Sequence, residues 1–202
     1  MAWRDDLILP DQPVRLTAGQ VEELARKLAA LRGEILDYVA LLNTLVQPGV
    51  SDGTAADAAA PTPRAASDRV LSPRQIEALY DCLAAVRHDI NGQGAVVVAV
   101  IELLRLKPEE KPRLLAKLVG VPAIIASKLA QLCDACDAVL SLPPVPVPRR
   151  MVNAPHDKAL ADSLAEQPAR IRERIRLFSD SFEQTLQIRR RSRPSQSAAP
   201  AC

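Results

Sequence analysis

Aromatic residues are scarce in this chain of 202 residues, which holds one Trp, two Tyr and two Phe, or 2% of the total. Glycine is almost as sparse, with seven residues, whereas Ala and Leu, which favour helices, are abundant. A β-sandwich or barrel needs many short strands rich in aromatic and β-branched residues, and no such series is visible. Because 48% of the residues are hydrophobic, the chain can still form a packed core. The sequence therefore predicts an all-α fold.

Charge, apolar runs and cysteine are also limited. A formal net charge of +2 is too small to make the whole molecule a nucleic-acid binder. The longest strongly apolar run, residues 94–101, is far shorter than the about 20 residues that cross a bilayer. The start, MAWRDDLILPDQP, lacks the apolar core of a secretory signal, and four Cys do not suggest a secreted disulfide framework. We therefore expect a cytoplasmic protein that binds neither membrane nor nucleic acid.

Stretches rich in Pro, Ser, Gly or Ala divide the chain. Three of them lack hydrophobic periodicity and are predicted to be linkers or a tail, because they cannot bury enough surface to become ordered. They are residues 47–71, 143–155 and 192–202. Residues 1–16 are predicted to form a flexible N-terminus.

Helical periodicity fills the segments between these stretches. Thr17 and the pair Ser72–Pro73 are typical of residues that begin helices. Pro122 and Pro168 predict interruptions near residues 120–122 and 167–168, because proline removes a backbone hydrogen bond. The predicted helices are A over 17–46, B over about 72–106, C over about 108–142 and D over about 157–190, within a C-terminal segment 156–191 that packs on the bundle.

Helices B and C carry matching heptad patterns. In helix B apolar residues alternate at spacings of three and four, and Gln93 is the one polar member of this seam. The other members are Ile76, Leu79, Leu83, Val86, Ile90, Val97, Val100 and Leu104. A short turn joins the two helices, so residues 72–142 are predicted to form an antiparallel hairpin. One hairpin leaves its seam uncovered and needs a partner.

An internal repeat can provide that partner. Placing Thr17 on Ser72 without gaps gives 9 identities in 30 positions, and placing Pro122 on Pro168 aligns helix C with helix D. Because A resembles B while D resembles C, we interpret the chain as two hairpins in a pseudo-symmetric four-helix bundle, an intrachain pseudo-dimer with helix A as a degenerate copy of helix B. The alternative is four unrelated helices, since amphipathic Ala/Leu helices resemble one another.

His88 is the residue best placed for chemistry. Its heptad position lies on the face of helix B away from the seam. A histidine that faces solvent beside an acid suits histidine phosphorylation, because the neutral ring can accept a phosphoryl group while Asp89 orients it. Gly92 lies one turn further along this face and leaves room for a phosphoryl donor. The alternative is a surface histidine without a role.

The stretch RHDINGQGAVVVAVIELLR, followed by a second helix, resembles the dimerisation and histidine-phosphotransfer domain of two-component sensor kinases. The resemblance implies a four-helix bundle of two hairpins, usually formed by homodimerisation, with His88 as phosphoacceptor and Asp89 as the adjacent acid. Gln93 fits the H-D-x-x-x-Q form, in which the Gln assists a water molecule, and Asn91 would be a supporting polar group. Gly92 stands where many relatives, which read H-D-x-N-N, have their second Asn.

The resemblance implies a function in two-component signalling. No ATP-binding boxes follow helix C, so we expect neither autophosphorylation from ATP nor a cofactor. Gly33 stands in helix A where helix B has His88, so the outer hairpin is predicted to lack a phosphoacceptor. We interpret the chain as a histidine phosphotransfer protein whose partners are a response-regulator receiver domain, docked on apolar residues around His88, or a sensor kinase. The alternative is a non-catalytic helical adaptor. A monomeric pseudo-dimer and a homodimer both fit the sequence.

The other candidates are interpreted as structural. Cys133 and Cys136 have C-x-x-C spacing without a second pair of ligands, which favours core packing and predicts no metal site. His156 lies in the Pro-rich linker. The basic residues 189–193 complement the helix dipole rather than bind nucleic acid, and the run PPVPVP is predicted to be a spacer.

Overall fold

The computed structural model describes residues 7–46, 65–146 and 157–190. Most of these residues are helical, which confirms the all-α prediction. The helices are α1 (Ala18–Val46), α2 (Pro73–Leu106), α3 (Lys111–Ala116), α4 (Val121–Leu140) and α5 (Asp157–Thr185). Four very short strands accompany them: β1 (Leu7–Ile8), β2 (Val14–Leu16), β3 (Arg69–Leu71) and β4 (Arg189–Arg190).

The long helices α1, α2, α4 and α5 form a four-helix bundle. Helix α2 packs against α4 and α5, and helix α1 packs against the same two helices. Helices α1 and α2 therefore occupy opposite corners, as do α4 and α5. The hairpin of α2 and α4 is closed by a 3-10 turn, Pro108–Glu110, and by α3. Helices α1 and α5 form the second antiparallel pair, so each hairpin covers the seam of the other.

Both long N-terminal helices begin with a reciprocal cap. The Ser72 hydroxyl accepts a hydrogen bond from the Gln75 amide nitrogen at 3.4 Å, and the Gln75 side-chain oxygen accepts one from the Ser72 nitrogen at 2.9 Å. Thr17 and Gln20 make the same two bonds, at 3.3 and 2.9 Å. Each box satisfies two donors that the first helical turn leaves without partners. The chain therefore starts α1 and α2 in the same way.

Residues 7–16 are not a flexible N-terminus. Strand β2 pairs antiparallel with β3, and β1 pairs antiparallel with β4. Val14, Leu16 and Leu71 are buried, because the alternation of apolar and polar residues in β2 turns one face of this ribbon towards the bundle. Residues 69–71, predicted as linker, are ordered for the same reason. Residues 1–6 and 47–64 lie outside the described residues.

The two helices that contain an internal proline behave differently. In the predicted helix C, α3 and α4 are separate, and Pro122 lies in the first turn of α4, where it is tolerated. Helix α5 runs unbroken through Pro168, so the predicted interruption is wrong. Leu160 and Leu164, before the proline, are both buried. At about 1.5–3 kcal/mol for each buried leucine, their burial offsets the roughly 3 kcal/mol that an interior proline costs.

The predicted ends of the C-terminal segment also change. Helix α5 stops at Thr185 rather than near residue 190, and Arg189 and Arg190 form β4. Helix α4 ends at Leu140 rather than at residue 142, and residues 143–146, at the start of the predicted Pro-rich linker, have no regular secondary structure. The remainder of that linker, His156 next to it and the predicted tail 192–202 lie outside the described residues.

Burial in the bundle follows the internal repeat. Positions 55 residues apart in α1 and α2 are buried together, as are positions 46 residues apart in α4 and in α5 with the residue that follows it. The first set is Val21/Ile76, Leu24/Leu79, Leu28/Leu83, Leu31/Val86, Ile35/Ile90 and Leu42/Val97; the second is Ile125/Ile171, Leu129/Ile175, Leu132/Phe178, Cys136/Phe182 and Leu140/Leu186. The same side chains of each hairpin thus face the common core.

Two backbone features obey the same spacings. Within the described ranges, the non-glycine residues with positive φ are Ser141 (φ 47°) and Gln187 (φ 59°), which lie 46 residues apart just after α4 and α5. Both supply the left-handed residue that commonly ends a helix. In the ribbon of β2 and β3 the central pair is Arg15 and Val70, 55 residues apart. An antiparallel pair of equivalent residues has a two-fold axis between them, so the bundle is pseudo-symmetric about this axis.

No single helix among the described residues is both long and apolar enough to cross a membrane. The segments Pro108–Ala116 and Val121–Leu140 meet a length and composition criterion only when taken together, and a bend of 40° separates them. The apolar residues of α4 that satisfy it include Ile125, Leu129 and Leu132, which are buried in the bundle core.

Candidate functional site

His88 lies on the outer face of α2 and is exposed to solvent. Within the described part of the chain its ring takes part in no hydrogen bond or ion pair. The equivalent residue of α1, 55 positions earlier, is Gly33, which is buried. The pseudo-symmetric bundle therefore presents an accessible imidazole on one of its two halves.

Asp89 does not turn towards the ring of its neighbour. Its carboxylate lies 2.9 Å from the ammonium group of Lys128 on α4, an ion pair across the hairpin. The equivalent residues of the other hairpin, Glu34 and Arg174, form the same pair at 2.6 Å. The second pair forms although no histidine stands beside it. The ion pair of Asp89 is therefore a contact between the two helices of its hairpin that does not depend on His88.

The structure separates the other residues predicted for the site. Gly92 is exposed, and a Cβ built there has no neighbour within 4 Å, so this face beside His88 is open. Asn91 is half-buried and faces α5, where it lines a pocket with Pro168. Gln93 is half-buried on the seam side of α2. The predicted set thus occupies three faces of α2, and only His88 and Gly92 share the exposed one.

An apolar surface continues from Gly92 along the hairpin. Val96 is 41% exposed, and Leu103, two turns further along α2, is 38% exposed. Ile124, on the neighbouring helix α4, is 42% exposed. We call Gly92, Val96, Leu103 and Ile124 the hairpin surface. In the other half, Gly92 and Ile124 are replaced by Asp37 and Arg170, so the apolar character belongs to the hairpin that carries His88.

A small pocket lies on the α5 side of His88, between α1, α2 and α5. Its polar lining consists of Tyr38 from α1, Asn91 from α2 and Arg172 from α5. Its cavity volume is about 10 Å3, which is room for about one water molecule. Tyr38 is 1% exposed, and its hydroxyl has no hydrogen-bond partner among the residues that the structure describes. We call this the Tyr38 pocket.

Cysteine and metal chemistry receive little support from the geometry. Cys136 is buried in the core, while Cys82 and Cys133 are half-buried. Burial raises the pKa of all three thiols, that of Cys136 to about 12, so the thiolate form is disfavoured. Among residues 7–46, 65–146 and 157–190, no group of three or more His, Cys, Asp or Glu side chains is arranged to hold a metal ion.

Three residues near His88 were missed by the sequence analysis: Lys128, Arg172 and Tyr38. The role of Lys128 could have been found, because the alignment that places Gly33 on His88 also places Glu34 on Asp89, and the second alignment places Arg174 on Lys128. Two opposite charges at matching positions in both hairpins indicate an ion pair. Tyr38 and Arg172 carried no such signal, since their proximity depends on how α1 and α5 pack on α2.

Searches against family models, curated proteins and solved structures find no match to this chain. The chemistry of the site therefore rests on its geometry: an accessible imidazole, an open position beside it, an apolar surface on one side and a small polar pocket on the other.

Proposed function

We propose that this protein is a histidine phosphotransfer protein of a two-component pathway, in which His88 exchanges a phosphoryl group with a receiver-domain aspartate in the cytoplasm. The observation that carries the proposal is the exposed His88 in the middle of a long bundle helix, next to the open position at Gly92. A phosphoryl donor must reach the ring along its line of attack, and nothing built at Gly92 stands in the way.

The reaction needs few groups from this chain. An unprotonated ring nitrogen of His88 attacks the phosphorus of an acyl phosphate, an N–P bond forms, and the P–O bond to the aspartate breaks. The aspartate leaves as a carboxylate, and the proton on the other ring nitrogen is free to pass to water. Because the attacking nitrogen carries no proton, no base has to act before the attack. The pairing of Asp89 with Lys128 is therefore compatible with the reaction.

The hairpin surface supports a protein partner rather than a small substrate. Val96, Leu103 and Ile124 expose large apolar side chains within a few turns of His88, and exposed apolar side chains that lie together favour protein contact. The equivalent face of the other hairpin carries charges at two of these positions. A receiver domain bound there would bring its phosphorylated aspartate to His88.

A second candidate is a helical adaptor without chemistry. The observation that favours it is the ion pair of Asp89 with Lys128, which is repeated by Glu34 and Arg174 where no histidine is present. On this alternative, His88 is a solvent-exposed residue and the hairpin surface binds a kinase or receiver domain without phosphoryl transfer.

Phosphoryl transfer from a labelled receiver domain tests the proposal. We expect the native protein to acquire an acid-labile, alkali-stable label, and His88→Ala to acquire none, because the label is a phosphohistidine. His156→Ala is the matched control, since His156 is the second of the two histidines in the chain, and it should be labelled like the native protein. A panel of receiver domains that bind the protein but never label it would overturn phosphotransfer and leave the adaptor.

Substitutions on the hairpin surface test the docking site. Val96→Asp and Ile124→Asp should weaken receiver binding and slow labelling by about tenfold or more, since each places a charge in an apolar contact. Leu177→Asp is the control, because Leu177 is similarly exposed (44%) but lies on α5. If Leu177→Asp alone impaired labelling, the receiver would dock elsewhere and this assignment would be wrong.

A further inference from the structure

We infer that Lys128 binds the phosphoryl group at His88, and that Asp89 is a positioning residue that holds the Lys128 ammonium beside the reacting ring. The inference rests on the proposed function, because it concerns the group that His88 receives. Its basis is the ion pair of Asp89 with Lys128, at 2.9 Å, next to the open position at Gly92.

The open position adjoins both the ring and the ion pair. Gly92 is four residues after His88 and three after Asp89, and residues at these spacings are neighbours on a helix surface. A Cβ at Gly92 would have no neighbour within 4 Å, so no described side chain fills this space. A phosphoryl group on His88 and the end of the Lys128 side chain can therefore meet in the same opening.

Lys128 has the freedom and the donors for a second contact. The side chains of Lys128 and Asp89 are 34% and 36% exposed, so the ion pair reaches solvent rather than being enclosed in the core. An ammonium group carries several N–H donors on a flexible stem, and it can keep Asp89 while it binds a phosphoryl oxygen. No proton of Lys128 is transferred; its positive charge offsets the negative charge that the phosphoryl group brings beside Asp89.

Lys128 lies on the side from which a partner would approach. It is four residues after Ile124 on α4, so it borders the hairpin surface. Arg87, the cation next to His88 in sequence, instead lines a pocket with Glu183 of α5. A receiver domain on the hairpin surface thus brings its phosphoryl group to His88 past Lys128 rather than past Arg87.

The other half shows what the ion pair does without a phosphoacceptor. Glu34 and Arg174 form the equivalent pair at 2.6 Å, so the pair by itself joins the two helices of a hairpin. At the positions of the imidazole and of the open glycine, this half has Gly33 and Asp37. A carboxylate at the second position would repel a phosphoryl group, whereas an opening admits one. The cation is therefore combined with an imidazole and an opening in the half that carries His88.

Phosphorylation of the full chain by phosphoramidate, a small P–N donor that needs no docking surface, tests the inference. We expect Lys128→Gln to acquire label on His88 about tenfold more slowly than the native protein, because the cation is lost. Lys128→Arg, which keeps the charge, should retain most of the rate. Arg174→Gln is the matched control: it removes the equivalent cation and ion pair, and should be labelled at the native rate. The two Gln variants should melt at similar temperatures, so a difference in labelling reflects the site rather than the fold.

Asp89→Asn tests the positioning role. It should slow labelling by about threefold in the native background and have no further effect in Lys128→Gln, because Asp89 acts through Lys128. An equal effect in both backgrounds would show that Asp89 acts on the ring directly and would overturn this role.

Labelling of Lys128→Gln at the native rate, or equal slowing by Lys128→Gln and Arg174→Gln, would overturn the inference. Labelling by phosphoramidate that depends on Lys128, without transfer from any receiver domain, would support the inference and defeat the proposed function. Transfer from a receiver domain at the same rate to the native protein and to Lys128→Gln would do the reverse. No label on His88 from either donor would overturn both.

Discussion

At the scale of single residues, the two halves of the bundle differ where chemistry is possible and agree where packing is required. Ile35 and Ile90 are both buried, and the pairs Glu34–Arg174 and Asp89–Lys128 are repeated. At the position directly before these acids, one half has the buried Gly33 and the other has the exposed His88. The two halves therefore share the buried isoleucine and the ion pair, and they differ in whether an imidazole reaches solvent.

The two glycines after His88 differ in the space that a side chain would meet. Gly92→Ala should stabilise the protein by about 0.5–1 kcal/mol, because alanine favours the helix and its Cβ meets open space. Gly94→Ala should instead destabilise it by about 1 kcal/mol or more, since its Cβ would press on the Pro168 ring at 3.2 Å. Urea unfolding of both variants measures the difference. Equal stabilisation by the two substitutions would contradict the tight contact between α2 and α5.

At the scale of elements, the ribbon of β2 and β3 ties together the starts of α1 and α2. Asp68, just before β3, accepts hydrogen bonds from the Ala18 nitrogen and from Arg15, both at 3.0 Å. Ala18 is the first residue of α1, so this carboxylate satisfies one of the free donors of that helix and lies where the helix dipole favours negative charge. The segment before α2 thereby helps to begin α1.

This contact gives the stability a predictable dependence on acid. The hydrogen bonds from Ala18 and Arg15 hold the pKa of Asp68 below its ordinary value of 3.8. The unfolded chain therefore binds the proton first, and the contribution of Asp68, present above pH 3.8, is lost as the pH falls through its folded pKa. Asp68→Asn should flatten the loss of stability over this range in acid unfolding experiments.

Asp134→Asn provides the control for the acid experiment. Asp134 is an exposed residue of α4, remote in sequence from the ribbon, and its substitution should leave the acid slope close to that of the native protein. The same slope for Asp68→Asn and for the native protein would show that this carboxylate does not couple the ribbon to α1.

Helix α5 shows the limit of local signals at this scale. Pro168 predicted an interruption because proline breaks backbone hydrogen bonds, but the preceding turns are held by Leu160 and Leu164 in the core. In contrast, the residues before Pro122 form a turn that separates α3 from α4. The same proline in an equivalent position therefore begins one helix and lies inside another, although the equivalent residues Leu114 and Leu118 are buried as well. The local sequence differs, since Gly120 precedes Pro122 where Glu166, a better helix former, precedes Pro168.

At the scale of the whole molecule, the bundle has two complete hairpins within one chain. Each of α1 and α2 packs against both α4 and α5, so the seam that a lone hairpin would offer to a second copy is already filled. Burial of both sets of equivalent residues leaves no core face for such a copy among the described helices.

The full chain should therefore be a monomer. Sedimentation velocity is expected to give one species near 21.9 kDa over a wide concentration range, with one copy of His88 per particle. A stable homodimer would contradict this, because it would mean that the seam of the α2 and α4 hairpin is shared with another chain rather than with α1 and α5.

Local sequence was enough to predict the helices, their caps and the heptad seam, because these depend on spacings and on residues close in the chain. It also placed His88 on an outer face, since the seam defines the opposite one. Packing between distant elements, in contrast, produces the ion pair of Asp89 with Lys128, the strands within residues 7–16, and the pocket that Tyr38 and Arg172 share. Those outcomes depend on which elements become neighbours, and residues far apart in sequence meet only when the bundle is packed.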